Sequence, residues 1–268
     1  MIESLITINA KKIYYRSYGS GNPVVLIHGF GEDGTMWNEQ VALLALTNRV
    51  IVPDLPGSGK SEIGNDMSIE GMANVIYWLL QQLNSSINNW VVIGHSMGGY
   101  VTLALAEKYP QMLAGIGLVH STAYADTAEK KLARQRGIEF IRTNGSTAFL
   151  KQSIPNLFAA HFRTTNGAVV NAFIDQYKNF SEAALIAYYE AMMARPDRTV
   201  VLKKFAKPIL FIIGKHDNAV PYANSLEQTH LPELSHLHIL QSSAHMGVLE
   251  EPEKTNNALA SFLQGIYV

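Results

Sequence analysis

The segment WVVIGHSMGGYVTLALAEKY, residues 90–109, decides the fold of this chain. An apolar run leads into the pattern G-x-S-x-G around Ser96, and a helical pattern over residues 101–109 follows it. In this strand–turn–helix context the serine is presented as a nucleophile at the top of a sheet. Gly94 and Gly98 fit such a sharp turn because a Cβ atom there would clash with the neighbouring chain. The segment therefore predicts a nucleophile elbow.

Short, almost continuous apolar runs recur along the rest of the chain and alternate with helical patterns. Continuous apolar character is typical of strands that are covered on both faces, as in parallel sheets. Strand–helix–strand repeats predict an α/β fold, with a mostly parallel central sheet and helices on both faces. The chain of 268 residues is expected to form one domain, residues 1–268, with an antiparallel hairpin over Glu3 to Tyr18 at one sheet edge. The runs are Val24–Ile27, Val50–Val52, Trp90–Ile93, Ile116–Val119, Ile209–Ile213 and Leu237–Leu240.

The alternation stops between Ser121 and Arg195, where only helical patterns occur. One helix is expected over residues 127–143, with Asp126 as its N-cap, and further helices over 168–178 and 182–194. A helical block inside an α/β pattern predicts a lid over the sheet, which we place at residues 122–195.

A glycine-rich loop, His28-Gly29-Phe30-Gly31, directly follows the apolar run of residues 24–27. A loop in this position can aim a backbone N–H at a developing oxyanion, and the residue after the nucleophile supplies a second N–H. The backbone N–H groups of Phe30 and Met97 are the predicted donors. The side chain of His28 is interpreted as a structural hydrogen-bonding group.

Two further polar residues complete a predicted triad. Asp217 follows the apolar run of residues 209–213, and His245 lies in a loop before the last helical pattern. The chain order Ser, Asp, His is that of α/β-hydrolase triads, so Asp217 is predicted to orient His245, and His245 to take the proton of Ser96. The rival acids are Asp54, interpreted as a loop organiser, and Asp126.

Composition excludes several other classes of function. The net charge is -1, which leaves no basic excess for nucleic acid, and no polybasic run is present for a membrane. The chain has no cysteine, which excludes disulfides and zinc–thiolate sites, and the spacing of its histidines indicates no zinc site. We expect no metal, no cofactor and no secretion signal, and a cytoplasmic protein. The sequence does not indicate the oligomeric state.

With these motifs the chain resembles the α/β-hydrolase superfamily over nearly its whole length outside the lid. The segments that carry the resemblance occur in family order. The resemblance is nearest to lid-bearing serine hydrolases of the carboxylesterase type. Haloalkane dehalogenases and epoxide hydrolases of the superfamily carry aspartate at the position of Ser96. The segments are HGFGEDGTMW, VPDLPGSGKS, GHSMGGYVTLALAEKYP, ILFIIGKHD and AHMGVLEEPE.

The expected substrate is a small-molecule carboxylic ester. Phe30, Trp37, Met97 and Met246 flank the catalytic loops and are predicted to bind it, while most lid aromatics are expected to pack the lid itself. An apolar pocket favours small or medium, uncharged acyl groups. Two alternatives stay open from the sequence. One is a cofactor-free peroxidase or carbon–carbon bond hydrolase with the same triad, and the other is a ligand-binding signalling receptor with slow residual hydrolysis.

Overall fold

A computed structural model describes residues 1–84 and 86–267. Within these residues, eight strands form one sheet in the order β1-β2-β4-β3-β5-β6-β7-β8. β1 pairs antiparallel with β2, β2 pairs antiparallel with β4, and the remaining pairs are parallel. The predicted α/β fold with a mostly parallel sheet is therefore confirmed. The strands are β1 Ile2–Ile8, β2 Lys11–Tyr18, β3 Asn22–Ile27, β4 Asn48–Pro53, β5 Trp90–His95, β6 Leu113–Val119, β7 Ile209–Gly214 and β8 Ser235–Leu240.

Helices pack on both faces of the sheet, and two large apolar clusters form the cores on its two sides. The helices are α1 Asn38–Leu44, α2 Ile69–Asn84, α3 Met97–Lys108, α4 Ala128–Ser153, α5 Ala160–Thr165, α6 Gly167–Tyr177, α7 Glu182–Ala194, α8 Thr199–Lys204, α9 Tyr222–Glu227, α10 Gly247–Glu250 and α11 Pro252–Ile266.

The strands follow the apolar runs because burial on both faces demands apolar side chains at every position. Every residue of β5 and of β7 is buried. The edge hairpin is different, since β1 is partly exposed and the degree of burial of its side chains alternates along much of the strand. Its turn contains Asn9 and Ala10, both with positive φ angles, 51° and 62°. The predicted hairpin is therefore present.

The segment between β6 and β7 contains five helices, α4 to α8, in the described part of the chain. The sequence predicts an end of helix α4 near residue 144. The backbone of Gly145 does leave helical geometry there, with φ 83° and ψ 162°. A second helical stretch then continues to Ser153. The expected N-cap, Asp126, is wrong. Thr127 caps α4 through Lys130 N–H, whereas Asp126 forms ion pairs with Arg134 and Arg195.

The topology brings the loops after β3, β5, β6, β7 and β8 to one end of the sheet, since the carboxyl ends of parallel strands share an edge. The predicted site residues lie in these loops. No helix within residues 1–84 and 86–267 combines the length and apolar character needed to cross a membrane.

Candidate active site

Ser96 sits at a sharp turn between β5 and α3. Its backbone has φ 50° and ψ −115°, a strained conformation for a residue with a side chain. A Cβ atom on Gly94 would lie 2.2 Å from the Gly98 carbonyl carbon, and one on Gly98 would lie 2.4 Å from the Ile27 oxygen. Only glycine fits either position, as the sequence pattern predicts. The turn leaves Ser96 partly exposed while its neighbours in the strand are buried.

His245 and Asp217 form a buried pair beside this serine. His245 Nδ1 lies 2.8 Å from Asp217 Oδ2. The other carboxylate oxygen accepts from the N–H groups of Ala219 and Val220, both at 2.9 Å. Burial alone would raise the pKa of Asp217, but the His245 interaction and the other hydrogen bonds outweigh it and hold the pKa far below its usual value. Asp217 is therefore ionised and fixed in orientation.

Ser96 and His245 both line one cavity. In the described part of the chain, no hydrogen bond joins Ser96 Oγ to His245 Nε2. Catalytic hydrogen bonds are often long before substrate binds and shorten in the reacting complex. The structure thus brings together the predicted nucleophile, base and acid, with the base–acid contact formed.

One of the two predicted oxyanion donors lines this cavity, and the other directly follows Ser96 in the chain. Phe30 lines it, and Met97 is the first residue of the helix that begins after Ser96. Among the described residues, neither the Phe30 N–H nor the Met97 N–H has a hydrogen-bond partner in the chain. The neighbouring N–H of Gly29 is occupied, because it donates to Glu32 Oε2 at 2.8 Å. This pattern leaves two unpaired donors for an oxyanion.

A buried ion pair that the sequence analysis missed joins the loops of the site. His95 Nδ1 lies 3.3 Å from Glu32 Oε2, and His95 Nε2 lies 3.0 Å from the His245 carbonyl oxygen. Each ring nitrogen faces an acceptor, so the ring carries two protons and a positive charge.

The titration behaviour of this pair agrees with its geometry. Burial alone would lower the pKa of His95, but Glu32 and the His245 carbonyl outweigh burial and raise it above the usual value. Burial alone would raise the pKa of Glu32. The charge of His95, its hydrogen bond and the hydrogen bond from the Gly29 N–H outweigh burial and lower the pKa of Glu32. The pair therefore stays ionised and ties the oxyanion loop to the loop of His245.

His120 is a second buried histidine that the sequence analysis did not identify. It follows β6 with a positive φ of 50°, and its Nδ1 lies 3.4 Å from Asp217 Oδ2. Burial lowers its pKa to about 4, so the ring is neutral at neutral pH. The His120 ring therefore packs against Asp217 as a neutral group, at the same carboxylate oxygen that His245 contacts.

Donor atoms of His120, Asp217 and His245 lie within 4.8 Å of one another, which is the spacing of a metal site. The hydrogen bonds argue for a different use of these groups. Asp217 accepts from His245 and from two backbone N–H groups, so both of its oxygens are already engaged. The arrangement fits an acid that orients a base better than it fits a metal ligand.

The remaining polar residues near the site have structural contacts. Asp54 is buried and accepts from Arg16 and from the N–H groups of Gly34 and Lys60, which agrees with its interpretation as a loop organiser. His28 Nε2 accepts from Leu55 N–H at 2.9 Å, so its side chain is structural.

The cavity in front of Ser96 has a volume of about 640 Å³. One wall is formed by the loops after the strands, and the opposite wall by helices α4, α6 and α7. Of the aromatic and methionine side chains in the predicted lid, residues 122–195, four line the cavity, namely Phe149, Phe173, Tyr189 and Met192. Charged side chains are also present in the wall: Glu129, Lys130 and Arg134.

Three of the four predicted substrate-binding side chains are placed differently from the expectation. Phe30 lines the cavity, as predicted. Trp37, Met97 and Met246 are fully buried in the core and do not line it, so that prediction is wrong for these side chains. They adjoin catalytic loops in sequence, but the turns direct them away from the cavity and into the apolar clusters.

Comparisons with known proteins agree with this fold. A thermophilic esterase from Thermogutta terrifontis, solved with malate bound, superposes with a TM-score of 0.93 at 29% identity, covering 100% of both chains. Bromoperoxidase from Bacillus anthracis gives a TM-score of 0.88 at 25% identity, over 98% of this chain and 100% of that one. The RutD protein of Pantoea ananatis, for which carbamate hydrolysis is the proposed activity, is 26% identical over 94% of this chain and 93% of its own length.

The sequence model of the family described as "alpha/beta hydrolase fold" matches residues 22–169, which is more than half of the chain. This segment includes the oxyanion loop and the elbow around Ser96, while Asp217 and His245 follow it in the order expected for the fold. The chain is a hydrolase that belongs to the α/β-hydrolase fold family.

Proposed function

We propose that the protein is a serine hydrolase that cleaves carboxylic esters of small or medium acyl groups with an apolar chain. The observation that carries this proposal is the placement of the predicted nucleophile and base in the wall of one cavity. Ser96, His245 and Phe30 line this cavity, Asp217 holds His245, and the N–H groups of Phe30 and Met97 have no partner among the described residues. The similarity to an esterase over the full chain supports the same activity.

The proposed reaction has two steps. His245 takes the proton of Ser96 as its oxygen attacks the ester carbonyl, and Asp217 stabilises the imidazolium that forms. The N–H groups of Phe30 and Met97 stabilise the tetrahedral oxyanion, for which each donor typically contributes about 3 kcal/mol. The alcohol leaves with the proton from His245. Water, activated by the same histidine, then hydrolyses the acyl-enzyme.

The helical segment of residues 122–195 serves as the lid in this proposal. Its helices form the wall of the cavity opposite the catalytic loops, so an acyl group bound at Ser96 is held between the two. The apolar members of that wall, among them Phe149, Leu150 and Ile154, suit an apolar acyl chain.

The test is hydrolysis of p-nitrophenyl esters from acetate to octanoate by the wild type and by Ser96→Ala. We expect turnover by the wild type that Ser96→Ala reduces to background. Ser153→Ala is the matched control, because this serine lines the same cavity from the lid side and has no proposed role in the reaction. Turnover that survives in Ser96→Ala, or no turnover of any ester, would overturn the proposal and favour a receptor or a substrate that is not an ester.

A further inference from the structure

The lid wall of the cavity contains a cationic group that the proposed reaction does not use. Arg134 lies on helix α4 and lines the cavity, with its side chain 13% exposed. Its Nε donates to Asp126 Oδ2 at 2.6 Å, and its Nη2 lies 3.4 Å from Asp126 Oδ1. Within the described residues, Nη1 of Arg134 has no hydrogen-bond partner.

Asp126 does not neutralise this site, because two arginines share it. Arg195 Nη1 lies 2.9 Å from Asp126 Oδ1. Arg195 also donates to the carbonyl oxygens of Met192 and Tyr124, and its guanidinium carbon lies 3.8 Å from the centroid of the Tyr100 ring, so its donors are directed into the protein. One carboxylate thus faces two guanidinium groups, and the excess positive charge lies on the arginine that reaches the cavity.

Other charged groups of the cavity leave this excess in place. Lys130 and Glu129 carry opposite charges, and both belong to the first turn of helix α4. Glu32 is paired with His95, and Asp217 is buried and does not line the cavity. A positively charged side chain, Arg134, is therefore available in the cavity wall, and a guanidinium group binds a carboxylate through two parallel hydrogen bonds.

Aromatic rings connect this cation with the reacting end of the cavity. The guanidinium carbon of Arg134 lies 5.5 Å from the centroid of the Tyr189 ring. That ring stacks on Phe30 at 4.4 Å, and Phe30 supplies one of the proposed oxyanion donors. Phe30 and Tyr189 thus form a continuous aromatic surface from the loop after β3 to the guanidinium of Arg134.

From this arrangement we infer that the substrate carries a carboxylate at the end of its acyl chain and that Arg134 binds it. The inference rests on the proposed esterase function and names its substrate class, the half-esters of short dicarboxylic acids. It also modifies the expectation of an uncharged acyl group, which followed from an apolar pocket alone.

The test compares substrates of equal chain length with and without the charge. Monomethyl glutarate is measured against methyl valerate, and monomethyl adipate against methyl hexanoate, by following acid release. We expect the wild type to favour the half-ester in kcat/KM by about tenfold or more, since a charge-assisted hydrogen bond contributes that much discrimination. Arg134→Gln is expected to lose this preference and to keep its activity on the neutral ester within about a factor of three.

Two further variants separate recognition of the carboxylate from general effects. Arg134→Lys keeps the charge without the paired donors and is expected to retain part of the preference. Arg136→Gln removes an exposed arginine from the same helix and is expected to leave the preference unchanged. Equal loss on charged and neutral esters in Arg134→Gln, or a wild type that favours the neutral esters, would overturn the inference.

Binding of adipate to Ser96→Ala, measured by calorimetry, keeps the inference testable apart from the esterase proposal. Binding that Arg134→Gln weakens at least tenfold supports the carboxylate site even if no ester is hydrolysed, in which case the esterase proposal alone fails. Ester hydrolysis that depends on Ser96, with no adipate binding and no preference for half-esters, would refute the carboxylate site and leave the esterase proposal standing.

Discussion

The two walls of the cavity are built in different ways. The wall of strand-end loops holds Ser96, His245 and the oxyanion donors, and buried hydrogen bonds fix these groups through Asp217 and the Glu32–His95 pair. The lid wall presents aromatic, aliphatic and charged side chains from helices, with none of the proposed reacting groups. We infer that the first wall determines the rate of bond cleavage, and the second determines which acyl group is bound. Changes in the first wall should lower kcat for every ester, and changes in the second should alter the order of preference among esters.

Among substitutions in the wall of strand-end loops, Asp217→Asn is expected to have the largest effect on kcat. We expect kcat to fall by about 10⁴-fold with every ester, because the amide no longer holds the imidazole in the required tautomer or stabilises its cation. Steady-state kinetics on two esters of different chain length measure this. Asp175→Asn, at an exposed aspartate of helix α6, is the control and should retain full activity. A loss confined to one ester would place Asp217 in substrate recognition instead.

Glu32→Gln tests whether the buried pair positions the loops. The glutamine removes the negative charge that holds His95 protonated and loosens the link between the oxyanion loop and the His245 loop. We expect kcat to fall by up to about a hundredfold with little change in KM, since small misplacements of reacting groups have effects of this size. The activity lost should be similar for short and long esters. A rise in KM without a change in kcat would contradict a positioning role.

A pH effect on stability is expected from His120. Its pKa is near 6.5 in the unfolded chain and is lowered to about 4 by burial, so the unfolded state binds the proton more readily between these values. Stability from the neutral ring is fully present above pH 6.5 and is lost as the pH falls toward 4, by about 3 kcal/mol. Urea unfolding at pH 7 and pH 4 measures this loss of unfolding free energy. In His120→Asn the loss between the two pH values should be smaller by about 3 kcal/mol, because the variant lacks the buried imidazole. Equal losses in the two proteins would contradict the assignment.

The smallest effect is expected on the lid wall. Phe149→Ala enlarges the cavity and should shift the preferred acyl chain to longer esters, changing the ratio of kcat/KM for octanoate and butyrate by about tenfold. Phe162→Ala is matched to it, because both rings are 8% exposed but Phe162 does not line the cavity. Phe162→Ala should lower stability and leave the ratio unchanged. A uniform fall in kcat for Phe149→Ala would show that the two walls are not functionally separate.

The sequence alone predicts the loop wall better than the lid wall, for a physical reason. Each predicted group of the loop wall follows a strand, which is buried except for β8 before His245, and the strand, its turn and the polar residue after it are local in sequence. The Glu32–His95 pair escaped prediction because its members lie 63 positions apart and meet only when β3 and β5 pair.

The set of side chains in the lid wall depends on how the helices pack, and a local sequence pattern does not predict this packing. Helical spacing indicated the helices, but which of their aromatic residues reach the cavity depends on how α4, α6 and α7 pack. The same limit explains the error at Trp37, Met97 and Met246. Closeness in sequence to a reacting residue does not fix the direction of a side chain, and all three point into the core.

The central claim is that Ser96 is the nucleophile, and covalent labelling with a fluorophosphonate tests it most directly. Intact-mass measurement followed by peptide mapping gives both the number and the position of adducts. We predict one adduct per chain, on the peptide that contains Ser96, absent in Ser96→Ala and formed much more slowly in His245→Ala. An adduct on a different residue, or ester hydrolysis by a wild type that the reagent does not label, would contradict the claim.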